Sequence, residues 1–412
     1  MSRSFLKSWV SRFDYSRGRV FPGMRKILWA AALLACAITF AQSQVPTLAK
    51  RTRAPRTLPP TRFYDTLNPL PAGKPGELIR SEPFSEYDLS YQVSAARILY
   101  HSRSANGKDV AVSGVVLMPD RAPPAGGWPV IAWAHDFIGS ARQCAPSLLK
   151  NLGAGPLLSM YVGLGYAVVA SDYAGLGTSF PNAALDMRSN ALDMIYSIPA
   201  ARAAVPQLGT RWVAAGYSQG GLAAVAVAEA EGVADPNYLG AIAISGVADV
   251  QDIAERLAQG PAHHMLISLA HGIKAVFPEF QVEEMLTDKA MPLYRQSTQA
   301  CEANSGLEIA ANQILKPGWE NNRYVKEFFS RNSSGRKPAY GPLLVLGGKA
   351  DPDIPAALTA NSVALMCKQG DRVLFEEYPD LDARGVIGAS VSDQISWIQA
   401  RFAGHPAPSN CP

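Results

Sequence analysis

The chain has 412 residues, 48% apolar and 17% charged, with a formal net charge of +4. That composition excludes a disordered chain and allows a large buried core with room for an inserted subdomain. The small charge excess gives no indication of a nucleic-acid partner.

Met24, Arg25 and Lys26 precede an apolar run over 27–40, and the small residues Ala41 and Ser43 follow. This is the pattern of a secretory signal, too short to span a bilayer comfortably, so 1–43 is read as a leader and the product as secreted or periplasmic. Residues 1–23 lack the pattern, which makes Met24 an alternative start. The string Leu33-Leu34-Ala35-Cys36 offers lipid anchoring through Cys36 as the less favoured alternative. Residues 1–41 carry seven of the 38 basic and one of the 34 acidic residues, leaving 31 basic against 33 acidic. Residues 44–80 are Pro-rich, and Lys50, Arg51, Arg53, Arg56 and Arg62 among them read as an exposed linker.

Residues 95–102 and 110–118 alternate as two strands. Apolar runs follow at 128–134, ending at His135-Asp136, and at 166–172; a helix is expected over 184–205. Residues 211–215 form an apolar strand, Gly216-Tyr217-Ser218-Gln219-Gly220 a turn, and 221–230 an Ala-rich helix. Strands then recur at 238–245, 341–347 and 372–378, and a last helix at 392–402. Apolar strands without alternation, separated by helices, predict an α/β fold with a mostly parallel sheet covered on both faces, assembled from 81–248 and 338–412. Residues 249–337 break the strand rhythm. They read as helical, contain His263, His264 and His271, and are rich in Met, Phe and Tyr. They are expected to form a cap giving Ser218 an apolar acyl pocket and contact with a lipid interface; the plainer alternative is a lateral subdomain that only packs.

Gly216 to Gly220 read G-x-S-x-G between a strand and a helix. Such a turn lifts the serine hydroxyl clear of the sheet and points the helix N-terminus at the charge that develops in acyl transfer. A serine needs an imidazole base held by a carboxylate, and in this arrangement the chain order is serine, acid, histidine. Asp351, just past the strand at 341–347, is the expected acid, with Asp353 the fallback. Only His405 lies beyond it, and it reads as surface tail. The loop after Tyr378, where the base belongs, contains no histidine. His135 reads as an oxyanion-loop or packing residue, with a substitute base the less favoured alternative, and the histidines of 249–337 as surface or interhelical, with one reaching into the site the alternative. The oxyanion hole is expected from the Gln219 N–H and a donor at Asp136-Phe137. Beyond the leader, Cys144, Cys301, Cys367 and Cys411 allow three disulfide pairings. No spacing suggests a metal, and no motif calls for a cofactor or an obligatory protein partner.

Over residues 75–412 the chain resembles the secretory lipase family, which includes the fungal lipase A type and bacterial exported lipases and esterases. The resemblance rests on Ala132-Trp133-Ala134-His135-Asp136, Cys144-Ala145-Pro146-Ser147, Asp172-Tyr173-Ala174-Gly175-Leu176-Gly177, the Ser218 turn, Ala350-Asp351-Pro352 with Ile354-Pro355, and the ending from Arg401 to Cys411. It implies an α/β-hydrolase with a helical cap, Ser218 as nucleophile, Asp351 as acid, hydrolysis of carboxylic esters such as acylglycerols, and the pairs Cys144–Cys301 and Cys367–Cys411. Asp136 stands where many bacterial relatives have glycine; the fungal type has an acidic residue there, which makes Asp136 a candidate oxyanion donor. Ala383 falls at the position of the family's catalytic histidine. The expected function is therefore an exported ester hydrolase, either weakened at its base or using another base in its place. The alternative is an inactive homologue binding acyl or other apolar ligands. A secreted peptidase of the same fold would need charged specificity pockets in 249–337, and none is evident.

Overall fold

The apolar runs become the strands of one sheet in the computed structural model, which describes residues 57–89, 93–233, 235–260, 264–299, 301 and 309–412. The leader, Cys36, most of the basic run and His263 lie outside the described residues. The strands are β1 (Leu78–Pro83), β2 (Val93–Arg103), β3 (Asp109–Pro119), β4 (Trp128–Ala134), β5 (Ala167–Ser171), β6 (Leu208–Tyr217), β7 (Tyr238–Ile244), β8 (Leu343–Gly348) and β9 (Val373–Tyr378). Their order is β1-β2-β3-β5-β4-β6-β7-β8-β9. β1, β2, β3 and β5 pair antiparallel, whereas β5, β4, β6, β7, β8 and β9 run parallel.

Every residue of β5 and β8 is buried, which is why those strands show no polar alternation. Successive residues of β6 enter different cores. Trp212 and Ala214 join the one containing α2 (Met187–Ala204) and α3 (Gln219–Ala228). Val213 and Ala215 join the one built with α1 (Gly155–Gly163) and the C-terminal helices. Asp186 caps α2 by accepting from the Ser189 N–H at 2.8 Å, satisfying one of the donors a helix start leaves open.

Between β7 and β8 the chain forms α4 (Val250–Leu257), α5 (Met265–Val276), α6 (Met291–Gln296) and α7 (Arg323–Arg331). The Leu286–Leu315 bridge is the extended pairing among the described residues there. After β8 come α8 (Ala356–Lys368), α9 (Ala383–Ala389) and α10 (Val391–Phe402). Cys144–Cys301 ties the loop after β4 to the β7–β8 insertion, and Cys367–Cys411 ties the tail to α8. No described helix is long and apolar enough to cross a membrane.

Two local expectations are corrected. Residues 57–80 are not a loose linker: the Leu58 N–H donates to the Leu148 carbonyl at 2.7 Å, and Phe63 and Tyr64 are buried. The proline content hid two aromatic anchors, and β1 begins at Leu78, so the boundary at 80 falls inside a strand. The segment after Tyr378 is also not all loop, because Ala383 opens α9. Asp382 caps that helix by accepting from the Gly385 N–H at 2.8 Å.

Candidate active site

β4, β6, β7, β8 and β9 are parallel, so the segments following them emerge along one edge of the sheet. Ser218 follows β6, Asp351 follows β8, the 379–383 segment follows β9, and His135-Asp136 follows β4. This is the edge at which a parallel sheet offers ligands a crevice. β7 separates β6 from β8, so the two backbones stand about 10 Å apart at ordinary strand spacing. An imidazole is the size of group that relays between a serine and a carboxylate across such a gap.

Ser218 is held at φ 56° and ψ −119°, a conformation that L-residues adopt only under constraint. The constraint is close packing. A Cβ on Gly216 would lie 2.1 Å from the Gly220 carbonyl oxygen, and one on Gly220 would lie 2.1 Å from that of Ala134. Only hydrogen fits at either position, which explains both glycines of the motif. The Ser218 N–H donates to Ile244 O at 3.0 Å, locking the turn to β7. Gln219 is the first residue of α3, so its N–H lacks an acceptor four residues back. Its side-chain oxygen accepts from the Leu185 N–H at 3.1 Å.

Asp351 is 7% exposed, and its Oδ1 accepts from the N–H groups of Asp353 at 2.9 Å and Ile354 at 3.0 Å. Burial pushes its carboxyl above the ordinary aspartate range, and those donors partly offset the shift. The β8 turn is tied to the segment after β9. Lys349 N–H donates to Tyr378 O and Ala350 N–H to Leu381 O, both at 3.0 Å. A Cβ on Gly348 would sit 2.3 Å from that Leu381 oxygen. These bonds bring Ala383 to the Asp351 side of the site.

One cavity of about 580 Å³ is lined by Ser218, Gln219, Asp351, Asp353, Ala383 and Asp136 together. Ile253 and Leu257 of α4, Met265 of α5, and the Cys144–Cys301 bridge also line it. The β7–β8 insertion therefore supplies part of the cavity wall.

The described histidines separate clearly. His135 is buried with Nδ1 2.6 Å from Asp136 O and Nε2 3.1 Å from Asp172 O, and burial lowers its pKa to about 4. Its ring packs 4.2 Å from that of Tyr173. Held between two carbonyls, it shapes the Asp136 loop. His271 stacks on Tyr294 at 3.8 Å, with Nε2 2.8 Å from Ser297 Oγ. His101 pairs with Asp109 on β2 and β3, and His405 is exposed in the tail. Among the described residues, His264 is the histidine lining the Ser218 cavity. Nothing in its sequence context set it apart from the other histidines of the insertion.

Asp136 Oδ1 accepts from the Phe137 N–H at 2.6 Å, so that N–H is already engaged. The 172–177 motif proves structural. Buried Asp172 accepts from Ser113 Oγ at 2.6 Å and from the Ser147 N–H at 2.8 Å, while its carbonyl faces His135. It thereby clamps the loop that carries Asp136. Two residues escaped the sequence reading. Tyr217 sits among the charges of Asp136, Arg384, Asp351 and Asp382, although burial is the main cause of its raised pKa. Ser245, directly after β7, lines the cavity, although its hydroxyl is itself buried and finds no partner among the described residues.

Residues 156–410 match the family described as secretory lipase. The sequence is 25% identical to Lipase 6 of Candida albicans, over 86% of this chain and 84% of that protein. The structure superposes on Candida antarctica lipase A in its closed state with a TM-score of 0.74 at 18% identity, covering 85% of this chain and 88% of that one. It superposes on the rice cell wall degrading esterase LipA of Xanthomonas oryzae with a TM-score of 0.65 at 18% identity, covering 80% of this chain and 98% of that one. At these identities the solved structures establish the fold, that of an α/β-hydrolase.

Proposed function

The chain belongs to the secretory lipase family, and from that premise we propose that it is an exported carboxylic ester hydrolase that acts slowly through Ser218. The observation that carries this reading is a strained elbow serine sharing one cavity with a buried aspartate and with alanine at the position of the base. Ser218 Oγ attacks the ester carbonyl, and the developing oxyanion is met by the Gln219 N–H and a second donor on the Asp136 loop. Asp351 is the carboxylate that would orient an imidazole, but the side chain at 383 ends at Cβ. Deprotonation of the serine therefore falls to solvent. Triads lose most of their power when one member is removed, keeping what binding and the oxyanion hole supply. The β7–β8 insertion acts as the cap, with Ile253, Leu257 and Met265 forming an apolar wall for the acyl chain. Two disulfides suit an oxidising compartment.

The experiment compares hydrolysis of short- and long-chain p-nitrophenyl esters by the wild-type chain and by Ser218→Ala. A slow turnover lost in the variant supports the reading. Equal rates in both would remove Ser218 from the chemistry. Ala383 itself favours a second reading, a protein that binds acyl ligands without turning them over. Saturable binding of a fluorescent fatty acyl probe, with no hydrolysis dependent on Ser218, would select it.

A further inference from the structure

The cavity holds more than a nucleophile and an acid. Asp351 takes both of its hydrogen bonds on Oδ1, and Oδ2 takes none from the described residues. Ser245 follows β7, the strand lying between the Ser218 and Asp351 strands. It is 3% exposed, held at φ 55°, and its Oγ finds no partner among the described residues. Asp351 therefore lines the cavity with an acceptor oxygen to spare, where a relay from Ser218 would end, while the Ser245 hydroxyl stays sealed behind the lining. Ala383 adds only a methyl group there, and 580 Å³ easily accommodates a five-membered ring. The charged lining comprises four carboxylates, of Asp136, Asp351, Asp353 and Asp382, against one guanidinium, of Arg384. Such surroundings favour a ligand that enters neutral and becomes a cation, and they disfavour an anion.

We propose that this part of the cavity is a binding site for a small neutral nitrogen base, an imidazole or amine, which completes the serine relay that the chain's own residue 383 does not. The proposal rests on the ester-hydrolase reading above. One nitrogen of the bound base takes the Ser218 Oγ proton as the Oγ–acyl carbon bond forms. The resulting cation donates a hydrogen bond to Asp351 Oδ2 where a second N–H is available. It then gives the proton to the alkoxy oxygen as the ester C–O bond breaks and the alcohol leaves. In the second half a water molecule loses a proton to the same base as its oxygen attacks the acyl carbon. That proton returns to Ser218 Oγ as the acyl–serine bond breaks and the carboxylic acid departs, so the base is regenerated. The base can come as a free molecule and serve both halves, or be carried by the alcohol part of the substrate, in which case it serves acylation and must remain bound as the freed alcohol to serve deacylation.

The test is p-nitrophenyl ester hydrolysis by the full mature chain titrated with imidazole. We expect a saturable gain of at least about tenfold, within the range of general-base catalysis, with half-saturation on the order of 10 mM for so small a ligand. The gain should be absent in Ser218→Ala and diminished in Asp351→Asn. A parallel arm compares an ester of an imidazole-bearing alcohol with its phenyl counterpart. Preference for the first without added imidazole assigns the base to the substrate, whereas response only to free imidazole assigns it to a separate molecule. A linear, unsaturating response equal in wild type and Ser218→Ala is solution catalysis and overturns the proposal. If Ala383→His is active while wild type gains nothing in either arm, the hydrolase reading stands and the base site does not. If Ala383→His is also inert, both fall.

Discussion

Ser218 is strained into a partly buried turn and Asp351 is buried with two backbone donors on one oxygen, so the costly parts of the proposed site are built, and the position proposed for its base holds Ala383. Two predictions belong at this scale. Gly220→Ala places a methyl group 2.1 Å from the Ala134 oxygen. Backbone must shift to relieve it, so denaturant unfolding should show a loss of about 3 kcal/mol, the upper end for overpacking; an unchanged midpoint would mean the elbow is looser than described. His264→Gln should leave the slow residual ester rate within about threefold of wild type, far short of the loss when a working general base is removed. A brisk wild-type rate that collapses in His264→Gln would instead place the base on the insertion, since His264 lines the same cavity.

Among the elements, the β7–β8 insertion and the loop after β4 form the cavity wall, and Cys144–Cys301 joins them. The bridge closes 157 residues and Cys367–Cys411 closes 44. In the chain-entropy limit these are worth about 5 and about 4 kcal/mol. Replacing Cys144 and Cys301 together by Ser should therefore lower the urea midpoint more than replacing Cys367 and Cys411; the reverse order would show that the shorter loop carries native-state contacts beyond closure. At this scale the sequence was readily legible where one period dominated. The run at 128–134 became β4 without change of boundary, and the G-x-S-x-G turn fell between strand and helix, where the backbone packs too closely for any residue but glycine at 216 and 220. It was least legible where tertiary contacts override composition. Phe63 and Tyr64 are buried in a proline-rich stretch because Tyr64 Oη reaches Ser147 Oγ at 2.9 Å, a pairing across 83 positions. The 172–177 motif, quoted for family likeness, owes its form to Asp172 clamping the Asp136 loop. The orphan hydroxyl of Ser245 could not be read at all, since it depends on which strand β7 separates from which.

For the whole molecule, buried carboxyls set a pH dependence of stability. Burial raises the Asp193 pKa from 3.8 to about 7 and that of Glu229 from 4.5 to about 7. Between those limits the folded chain binds more protons at these sites than the unfolded chain does. Their contribution is therefore fully present below about pH 4 and is lost as pH rises through about 7. Asp193→Asn should flatten the decline in Tm over that interval, and an unaltered slope would mean Asp193 is ionised throughout. The proposed account is an ester hydrolase whose serine and acid are in place and whose base position holds Ala383. The measurement that tests it most directly is kcat for p-nitrophenyl ester hydrolysis by wild type, Ala383→His and Ala383→His combined with Ser218→Ala. The account predicts a rise of at least about 10²-fold in the single variant and its disappearance in the double variant. A single variant no faster than wild type, with Ser218 in place and the protein folded, would contradict it.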